Sequence, residues 1–276
     1  MLIAHITDLH IRPRGKPAYR VSETNALSER ALDAIAALRP RPDLLVITGD
    51  LTDCGLAEEY ALLREMLARL AMPVLMVPGN HDRRAELVAG LQLDPRTVQE
   101  AGFVQFVADL PAMRLIGLDT LVPGQSAGGL CEARLAFLDK ALEEANGKPV
   151  AIFMHHPPFT CGIAHMDSIR LLDGADAFAG IVARHPNIER ILCGHHHRPI
   201  VTRFAGTIAQ IAPSVTHQVT LDLSDDGPAT FHMEPAAYLL HSFRDGAGFV
   251  SHQAYVERFP GPFPFVLDAD YPGAHG

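Results

Sequence analysis

Short apolar runs alternate along the chain with longer stretches in which apolar residues recur every three or four positions. Five of the runs have the length of strands and are mainly apolar, as expected of strands buried on both faces. They occupy residues 2–6, 44–47, 74–77, 151–154 and 188–193. Strands of this kind suit a sheet that helices cover.

Helical spacing of apolar residues fills the gaps between these runs. The first such stretch follows Ser22, a candidate N-cap, and ends before Pro40. Residues 56–70 and 132–145 repeat the pattern. Strands and helices therefore alternate through the first two thirds of the chain, which predicts the α/β class.

The pattern changes at about residue 199. Short β-like stretches follow one another without helical spacing, at residues 199–204, 207–211, 216–223 and 229–233. We interpret them as antiparallel strands that complete a second sheet.

A turn cluster at residues 224–228 marks the end of the main domain, which we place at residues 1–224. Residues 225–276 then form a C-terminal extension that is rich in aromatic residues. We predict that it serves as a cap or as a contact in a homo-oligomer, with the alternative that it packs on its own domain. The aromatic residues are Phe243, Phe249, Tyr255, Phe259, Phe263 and Phe265.

Composition limits the possible functions. The chain has 276 residues, of which 48% are hydrophobic, so a large core is expected, and its net charge of −9 argues against stable binding of a nucleic-acid polymer. It shows no export leader and no apolar segment long enough to span a membrane. The four cysteines form no CxxC pair. We expect a cytoplasmic protein with reduced thiols and no membrane partner.

Polar clusters follow the apolar runs, where strands are predicted to end. In open α/β sheets, ligands bind outside the carboxyl ends of the strands, so clusters far apart in sequence meet there. The five clusters are Asp8-Leu9-His10, Gly49-Asp50, Gly79-Asn80-His81-Asp82, His155-His156-Pro157-Pro158 and Gly194-His195-His196-His197.

The residue types in these clusters indicate a metal site. Carboxylates, an amide oxygen and imidazoles bind divalent ions such as zinc, manganese, iron or cobalt. Asp50 is a natural bridge, because the two oxygens of a carboxylate can be shared between two ions. Such a site generates hydroxide at neutral pH and stabilises a phosphoryl transition state.

Each cluster alone has an ordinary structural explanation. Asp after Gly is common in turns, Asn-His-Asp can cap a helix, and three consecutive histidines can be a solvated run. The five clusters in this order, however, resemble the motifs of the calcineurin-like metallophosphoesterase family. The resemblance covers residues 1–199, and the forms Thr7-Asp8-Leu9-His10 and His155-His156-Pro157-Pro158 are most similar to class III cyclic-nucleotide phosphodiesterases and bacterial glycerophosphodiesterases.

The resemblance implies a four-layer α/β/β/α sandwich and a centre of two divalent ions. It assigns Asp8, His10, Asp50 and His197 to one ion, and Asp50, Asn80, His156 and His195 to the other. Asp50 and His81 become the catalytic residues, and Asn80, His81 and His217 contact the substrate, with a structural role for His217 as the alternative. Adjacent side chains of an extended segment point in opposite directions, so His155 and His196 are left as supporting or core residues.

The implied reaction is hydrolysis of small phosphodiesters, such as glycerophosphodiesters or 3',5'-cyclic nucleotides, by a hydroxide that bridges the ions. A phosphomonoesterase is less favoured, because no Arg follows Gly49-Asp50 to hold a doubly charged phosphate. A nuclease is disfavoured by the net acidity. A non-catalytic scaffold would have lost some of the ligand residues, and none is lost here.

Overall fold

The computed structural model describes residues 1–98, 100–244 and 247–263. The helices are α1 (Thr24–Ala36), α2 (Ala57–Leu67), α3 (Arg84–Gly90), α4 (Glu132–Glu143), α5 (Ala164–Asp167) and α6 (Ala175–Arg184). The strands are β1 (Leu2–Ile6), β2 (Leu44–Thr48), β3 (Val74–Val77), β4 (Thr97–Val98), β5 (Gln105–Asp109), β6 (Arg114–Leu118), β7 (Gly128–Gly129), β8 (Val150–Met154), β9 (Leu171–Asp173), β10 (Ile188–Cys193), β11 (Ile200–Phe204), β12 (Thr207–Ile211), β13 (Gln218–Val219), β14 (Phe231–His232), β15 (Ala237–Arg244) and β16 (Gly248–Tyr255). All five strands predicted from the buried apolar runs are present.

The first large sheet has the strand order β16-β15-β1-β2-β3. β1, β2 and β3 are parallel, and the crossovers between them contain α1 and α2, as the alternating pattern predicts. β15 pairs antiparallel with β1 on its other side. The strand that leads to Asp8 is thus central in its sheet.

The second large sheet has the strand order β11-β12-β10-β8-β6-β5-β4. β6, β8, β10 and β12 are parallel to one another, and the pairs β4–β5, β5–β6 and β11–β12 are antiparallel. The first two strands after residue 199 are therefore antiparallel to each other, as predicted, although β12 joins the sheet by parallel pairing with β10.

The strands predicted at residues 216–223 and 229–233 are shorter in the structure, where they form the two-residue strands β13 and β14. These strands pair with each other outside both large sheets. The cause is local, since the side-chain hydroxyls of Ser214 and Thr216 donate to the backbone oxygen of Asp8. These bonds hold the chain against the loop after β1 instead of in a sheet.

Three groups of buried apolar residues define four layers. Side chains from both sheets, including Leu75 and Phe153, fill the space between the sheets. The outer face of the first sheet is covered by α1 and α2, and the outer face of the second sheet is covered by α4 and α6. This arrangement confirms the predicted α/β/β/α sandwich.

The start of α1 differs from the prediction. Its N-cap is Glu23, and no side chain caps the helix. Ser22 pairs with Ala18 through its backbone instead. Two side chains of α1 anchor the helix to the loop after β1. The hydroxyl of Thr24 donates to the backbone oxygen of His10, and the hydroxyl of Ser28 donates to the backbone oxygen of Leu9. α1 therefore fixes the loop that follows β1.

The C-terminal extension contributes directly to the first sheet. The domain boundary predicted between residues 224 and 225 assigns β15 and β1 to different units. In the structure these two strands pair, from Leu2↔Ser242 to His5↔Leu239. Phe249 is buried and Phe243 packs against the core between the sheets, so neither is free for a partner. Tyr255, Phe259 and Phe263 are exposed, and Phe265 lies outside the described residues.

The homo-oligomer remains a prediction, and three aromatic rings are left to support it. Among the described residues no helix has both the length and the apolar character to cross a bilayer.

Candidate metal centre

The five polar clusters meet at one end of the two sheets, where β1, β2, β3, β8 and β10 end. Their backbone is tightly turned, since the following residues have φ between +45° and +70°: Asp8, His10, Asp50, His195 and His197. Residues other than glycine seldom adopt this conformation, and it costs roughly 1–3 kcal/mol each. The surrounding structure holds these side chains in fixed positions that the isolated loops would not favour.

The first cluster of ligand atoms lies between the loops after β1 and β10. His10 Nε2 is 3.3 Å from His197 Nε2 and 3.7 Å from Asp50 Oδ2. Asp8 Oδ1 is 3.3 Å from His197 Nε2. These are the four residues that the family resemblance assigns to one ion, and their ligand atoms lie within 4.8 Å of one another.

The second cluster is centred on His155. Its Nε2 lies 3.1 Å from Asn80 Oδ1, 3.2 Å from His195 Nδ1 and 3.4 Å from Asp50 Oδ2. Asp50 Oδ2 therefore faces both clusters. The other oxygen, Oδ1, accepts a hydrogen bond from the backbone N–H of His81 at 2.9 Å. A single oxygen, not the two expected from the sequence, is placed between the two clusters.

In each of four histidines one ring nitrogen faces a cluster and the other bonds to the protein. A carbonyl or carboxylate oxygen can only accept, so each outer nitrogen carries a proton, and each inner nitrogen can present a lone pair when its ring is neutral. The outer contacts are His10 Nδ1 to Asp53 Oδ1 (3.2 Å), His155 Nδ1 to Thr48 O (2.7 Å), His195 Nε2 to Ile169 O (3.1 Å) and His197 Nδ1 to His217 O (2.8 Å).

His156 does not follow this rule. Its Nδ1 lies 2.8 Å from the hydroxyl of Thr120 and its Nε2 lies 3.2 Å from the backbone oxygen of Ser126. Its ring is close enough to His155 and His195 for the three to form a possible ligand group, but among the described residues it forms no hydrogen bond or ion pair with Asp50 or Asn80. The alternation of the two side chains is as predicted, and the geometry favours His155 over the predicted His156.

Close approach of backbone to side chain explains the glycines of two motifs. A Cβ at Gly79 would collide with Asp50 Oδ1 and the Asp50 nitrogen, and one at Gly49 would collide with the ring of His155. Gly49 also has a φ of +87°, which favours glycine. Both glycines are needed for Asp50 to reach the centre.

The electrostatics of the centre favour bound positive charge. Burial disfavours the ionised forms, but the histidines, led by His155, hold the pKa of Asp50 well below its usual value. Conversely, burial is outweighed by Asp50 and Asp8, which raise the pKa of His155 to about 9. In this structure protonated imidazoles would neutralise the buried carboxylates of Asp8 and Asp50. Bound metal ions can neutralise the same charge in their place.

One unpaired atom tests whether a metal fits. Asp8 Oδ1 is buried and has no hydrogen-bond partner in the part of the chain that the structure describes. A buried oxygen without a partner is costly, and a cation beside His10 and His197 would satisfy it. The donor set of carboxylate, amide and imidazole is the one that borderline divalent ions prefer. The residues present therefore fit a metal centre.

His81 lies beside the clusters without joining them. Its Nδ1 is 2.7 Å from the backbone oxygen of Asp53, so this nitrogen donates, and the ring is 29% exposed. Burial lowers its pKa, but Asp50 and the Asp53 carbonyl outweigh this effect and raise it. The prediction that His81 faces the substrate stays a prediction.

A cavity of about 230 Å³ lies over the centre. Its walls include His81 and His217 together with the rings of Tyr19 and Phe231, whose centroids are 5.5 Å apart. His217 is 3% exposed, and its backbone oxygen holds His197. The prediction that its ring contacts substrate stays a prediction, while its support of His197 was not foreseen.

Asp82 has a role that the motif alone did not indicate. Its carboxylate is buried and accepts hydrogen bonds from the backbone of Leu51, Thr52 and Gly79 and from the hydroxyl of Tyr60. It joins the loops after β2 and β3. Burial, followed by the charge of Asp50, raises the pKa of Asp82 to about 6. Nothing in the spacing of Gly-Asn-His-Asp specifies these partners.

Fold and site together define a metal-dependent phosphoesterase. The family model for calcineurin-like phosphoesterases matches residues 1–199. The chain belongs to the calcineurin-like phosphoesterase family.

Related proteins agree with this assignment. A probable glycerophosphodiester phosphodiesterase of Arcobacter nitrofigilis is 37% identical over 265 residues, which cover 96% of this chain and 97% of that protein. A probable cyclic nucleotide phosphodiesterase of Rhodopseudomonas palustris is 37% identical over 270 residues, covering 96% and 95%. A dimetal phosphatase of Danio rerio shares the fold, with a TM-score of 0.69 at 16% identity over 93% of this chain and 99% of that one.

Proposed function

We propose that this chain hydrolyses small phosphodiesters, with glycerophosphodiesters or 3',5'-cyclic nucleotides as the substrate class. One observation carries the proposal, namely the position of Asp50 Oδ2 between two clusters of inward-facing ring nitrogens. A shared carboxylate with imidazole nitrogens on either side is the arrangement that a pair of divalent ions requires, and the ions would displace the protons of those nitrogens.

The ligand sets follow from the inward-facing atoms. Asp8, His10, Asp50 and His197 would hold one ion, and Asp50, Asn80, His155 and His195 the other. Iron, manganese, zinc and cobalt all suit these donors. When bound, such ions lower the pKa of water and neutralise charge on phosphoryl oxygens.

The remaining residues position the substrate and move a proton. His81 keeps Nδ1 on the Asp53 carbonyl, which leaves Nε2 free to face the cavity. That nitrogen is the candidate donor to the departing oxygen. The rings of Tyr19 and Phe231 form an apolar wall beside the reacting centre, which suits the organic groups on either side of a diester.

A diester is favoured over a monoester because it carries one negative charge instead of two. No Arg follows Gly49-Asp50, and the nearby Arg84 is already bound to the carboxylate of Asp119 at 2.6 Å. The site therefore offers few fixed cations for a doubly charged phosphate. One relative of the glycerophosphodiester kind and one of the cyclic-nucleotide kind are each 37% identical to this chain, so both substrate groups belong to the proposal.

A substrate panel with defined metals tests this function. We expect turnover of glycerophosphodiesters, cyclic nucleotides or bis(p-nitrophenyl) phosphate, and at least tenfold lower kcat/KM for the matching monoesters, because the second charge lacks a partner. Exhaustive chelation should abolish all turnover, and re-addition of the ions should restore it. A preference for monoesters, or full activity after chelation, would contradict the proposal.

The choice between the two adjacent histidines predicts different outcomes for two matched variants. His155→Ala should lose one of two bound ions and most of the activity. His156→Ala should keep both ions, with a loss of about 10–100-fold at most, since it only supports its neighbours through Thr120 and Ser126. Metal content and kcat measured on both variants separate the roles. If His156→Ala lost an ion and His155→Ala kept both, His156 would be the ligand, as the sequence predicted.

A further inference from the structure

A second group of metal-binding residue types lies next to the candidate centre but shares no residue with it. Cys161, Asp167 and His196 each offer one ligand atom, and these three atoms lie within 4.8 Å of one another. The group joins two segments, the loop from Cys161 to α5 and the loop after β10 that carries the three consecutive histidines. None of the three residues has a role in the proposed reaction.

The first segment is folded back on itself by Asp167. Its Oδ1 accepts from the backbone N–H of Cys161 at 2.7 Å and its Oδ2 from that of Gly162 at 2.9 Å. These bonds hold the carboxylate and the thiol on the same side of the loop. Each carboxylate oxygen has a second lone pair, so capacity to bind a cation remains.

His196 supplies the independent observation. Its side chain is fully buried, yet neither Nδ1 nor Nε2 has a hydrogen-bond partner among the described residues. The sequence predicted a bystander or a donor to a metal ligand, and the ring makes no such bond. A buried polar group without a partner destabilises the folded chain. A cation beside Cys161 and Asp167 would remove that cost.

We propose that Cys161, Asp167 and His196 bind a third divalent cation, of the zinc or cobalt type. One thiolate, one imidazole and one carboxylate form a soft-to-borderline donor set that disfavours magnesium and calcium. Three protein ligands leave one position of a tetrahedral ion open to water. Cys161 and Asp167 are partly exposed, which gives the ion a path to the site.

Such an ion would cross-link the Cys161 loop to the loop that carries His195 and His197. Its role would be to stabilise the wall of the centre, and it does not depend on the proposed reaction. Burial, followed by the charge of Asp167, raises the pKa of the Cys161 thiol to about 11. Binding must therefore release the thiol proton, so the apparent affinity should rise about tenfold per pH unit below that pKa.

Cobalt substitution gives a direct test. The candidate centre contains no sulfur ligand, so thiolate-to-cobalt charge-transfer absorption in the near ultraviolet reports the third site alone. We expect this band in the full-length protein loaded with Co²⁺, and its loss in Cys161→Ser and in His196→Ala. Total cobalt should fall by about one ion per chain in both variants, whatever the number held by the other centre.

Two cysteine variants serve as matched controls. Cys131→Ser changes an exposed thiol elsewhere, and Cys54→Ser changes the thiol beside Asp53. Both should keep the band and the metal content. Circular dichroism checks that every variant is folded.

The proposal is wrong if the folded wild type binds Co²⁺ without the band, if Cys161→Ser retains the band, or if Cys54→Ser removes it. Failure of the substrate panel would leave this test unaffected.

Discussion

Asp50→Ala should remove both ions and lower kcat/KM by on the order of 10³-fold or more. The reason is that Asp50 Oδ2 faces both clusters, at 3.7 Å from His10 Nε2 and 3.4 Å from His155 Nε2. Ions contribute several kcal/mol to a phosphoryl transition state, and each 1.36 kcal/mol is a factor of ten in rate. Metal analysis and kinetics on the same preparation measure the effect.

Asn80→Ala is the matched control, because its amide oxygen approaches only the second cluster. It should weaken one ion and leave the other bound. The shared role of Asp50 would be refuted if Asp50→Ala kept two ions, or if Asn80→Ala lost both while remaining folded.

His81→Ala should lose about 10²–10⁴-fold in rate on alkyl diesters and far less on a nitrophenyl diester. An alkoxide is a poor leaving group and needs a proton in the transition state, whereas nitrophenolate leaves without one. The free Nε2 of His81 is placed to donate that proton, since Nδ1 is bound to the Asp53 carbonyl. Rates on both substrates, with two ions confirmed in the variant, give the comparison.

Two other results would assign His81 a different role. Equal losses on both substrates would rule out proton donation and indicate stabilisation of charge on the phosphoryl group. A loss of ions or of stability together with activity would show that His81 only holds its loop in place.

The strands that carry the site could be predicted because they are buried on both faces. β1, β3 and β10 begin and end at the predicted residues, because a short, mainly apolar run between helices is typical of a buried strand in an α/β fold. The polar residues that follow them lie where strand ends meet, so the convergence of Asp8, Asp50 and Asn80 was also predictable.

The choice between His155 and His156 could not be predicted from the residues. Alternation states that the two rings point apart, and it does not state which one faces the centre. The answer depends on Thr48, Thr120 and Ser126, which take the outer nitrogens and lie far away in sequence. The same holds for Asp82, whose partners belong to another loop.

The C-terminal strands were missed for a different reason. β15 and β16 contain polar residues such as His241 and Ser251, so they lack a continuous apolar run of the kind that identified β2, β3 and β8. Their positions are specified by pairing instead, since β15 pairs with β1 and β16 with β15. His241 bonds to His5 across the first of these pairs at 3.2 Å. Sequence composition suggested a separate extension because it carries no signal for contacts over such distances.

The pairing of β1 with β15 also affects the order in which the chain can fold. The strand that places Asp8 and His10 is made first, but its neighbour on one side is separated from it by more than 230 residues. Contacts of such high sequence separation form slowly, because a long loop must close before any pairing is gained. During synthesis, β1 therefore has one edge open until β15 has been made. Completion of the first sheet, and with it the final packing beneath the metal centre, must wait for that distant strand.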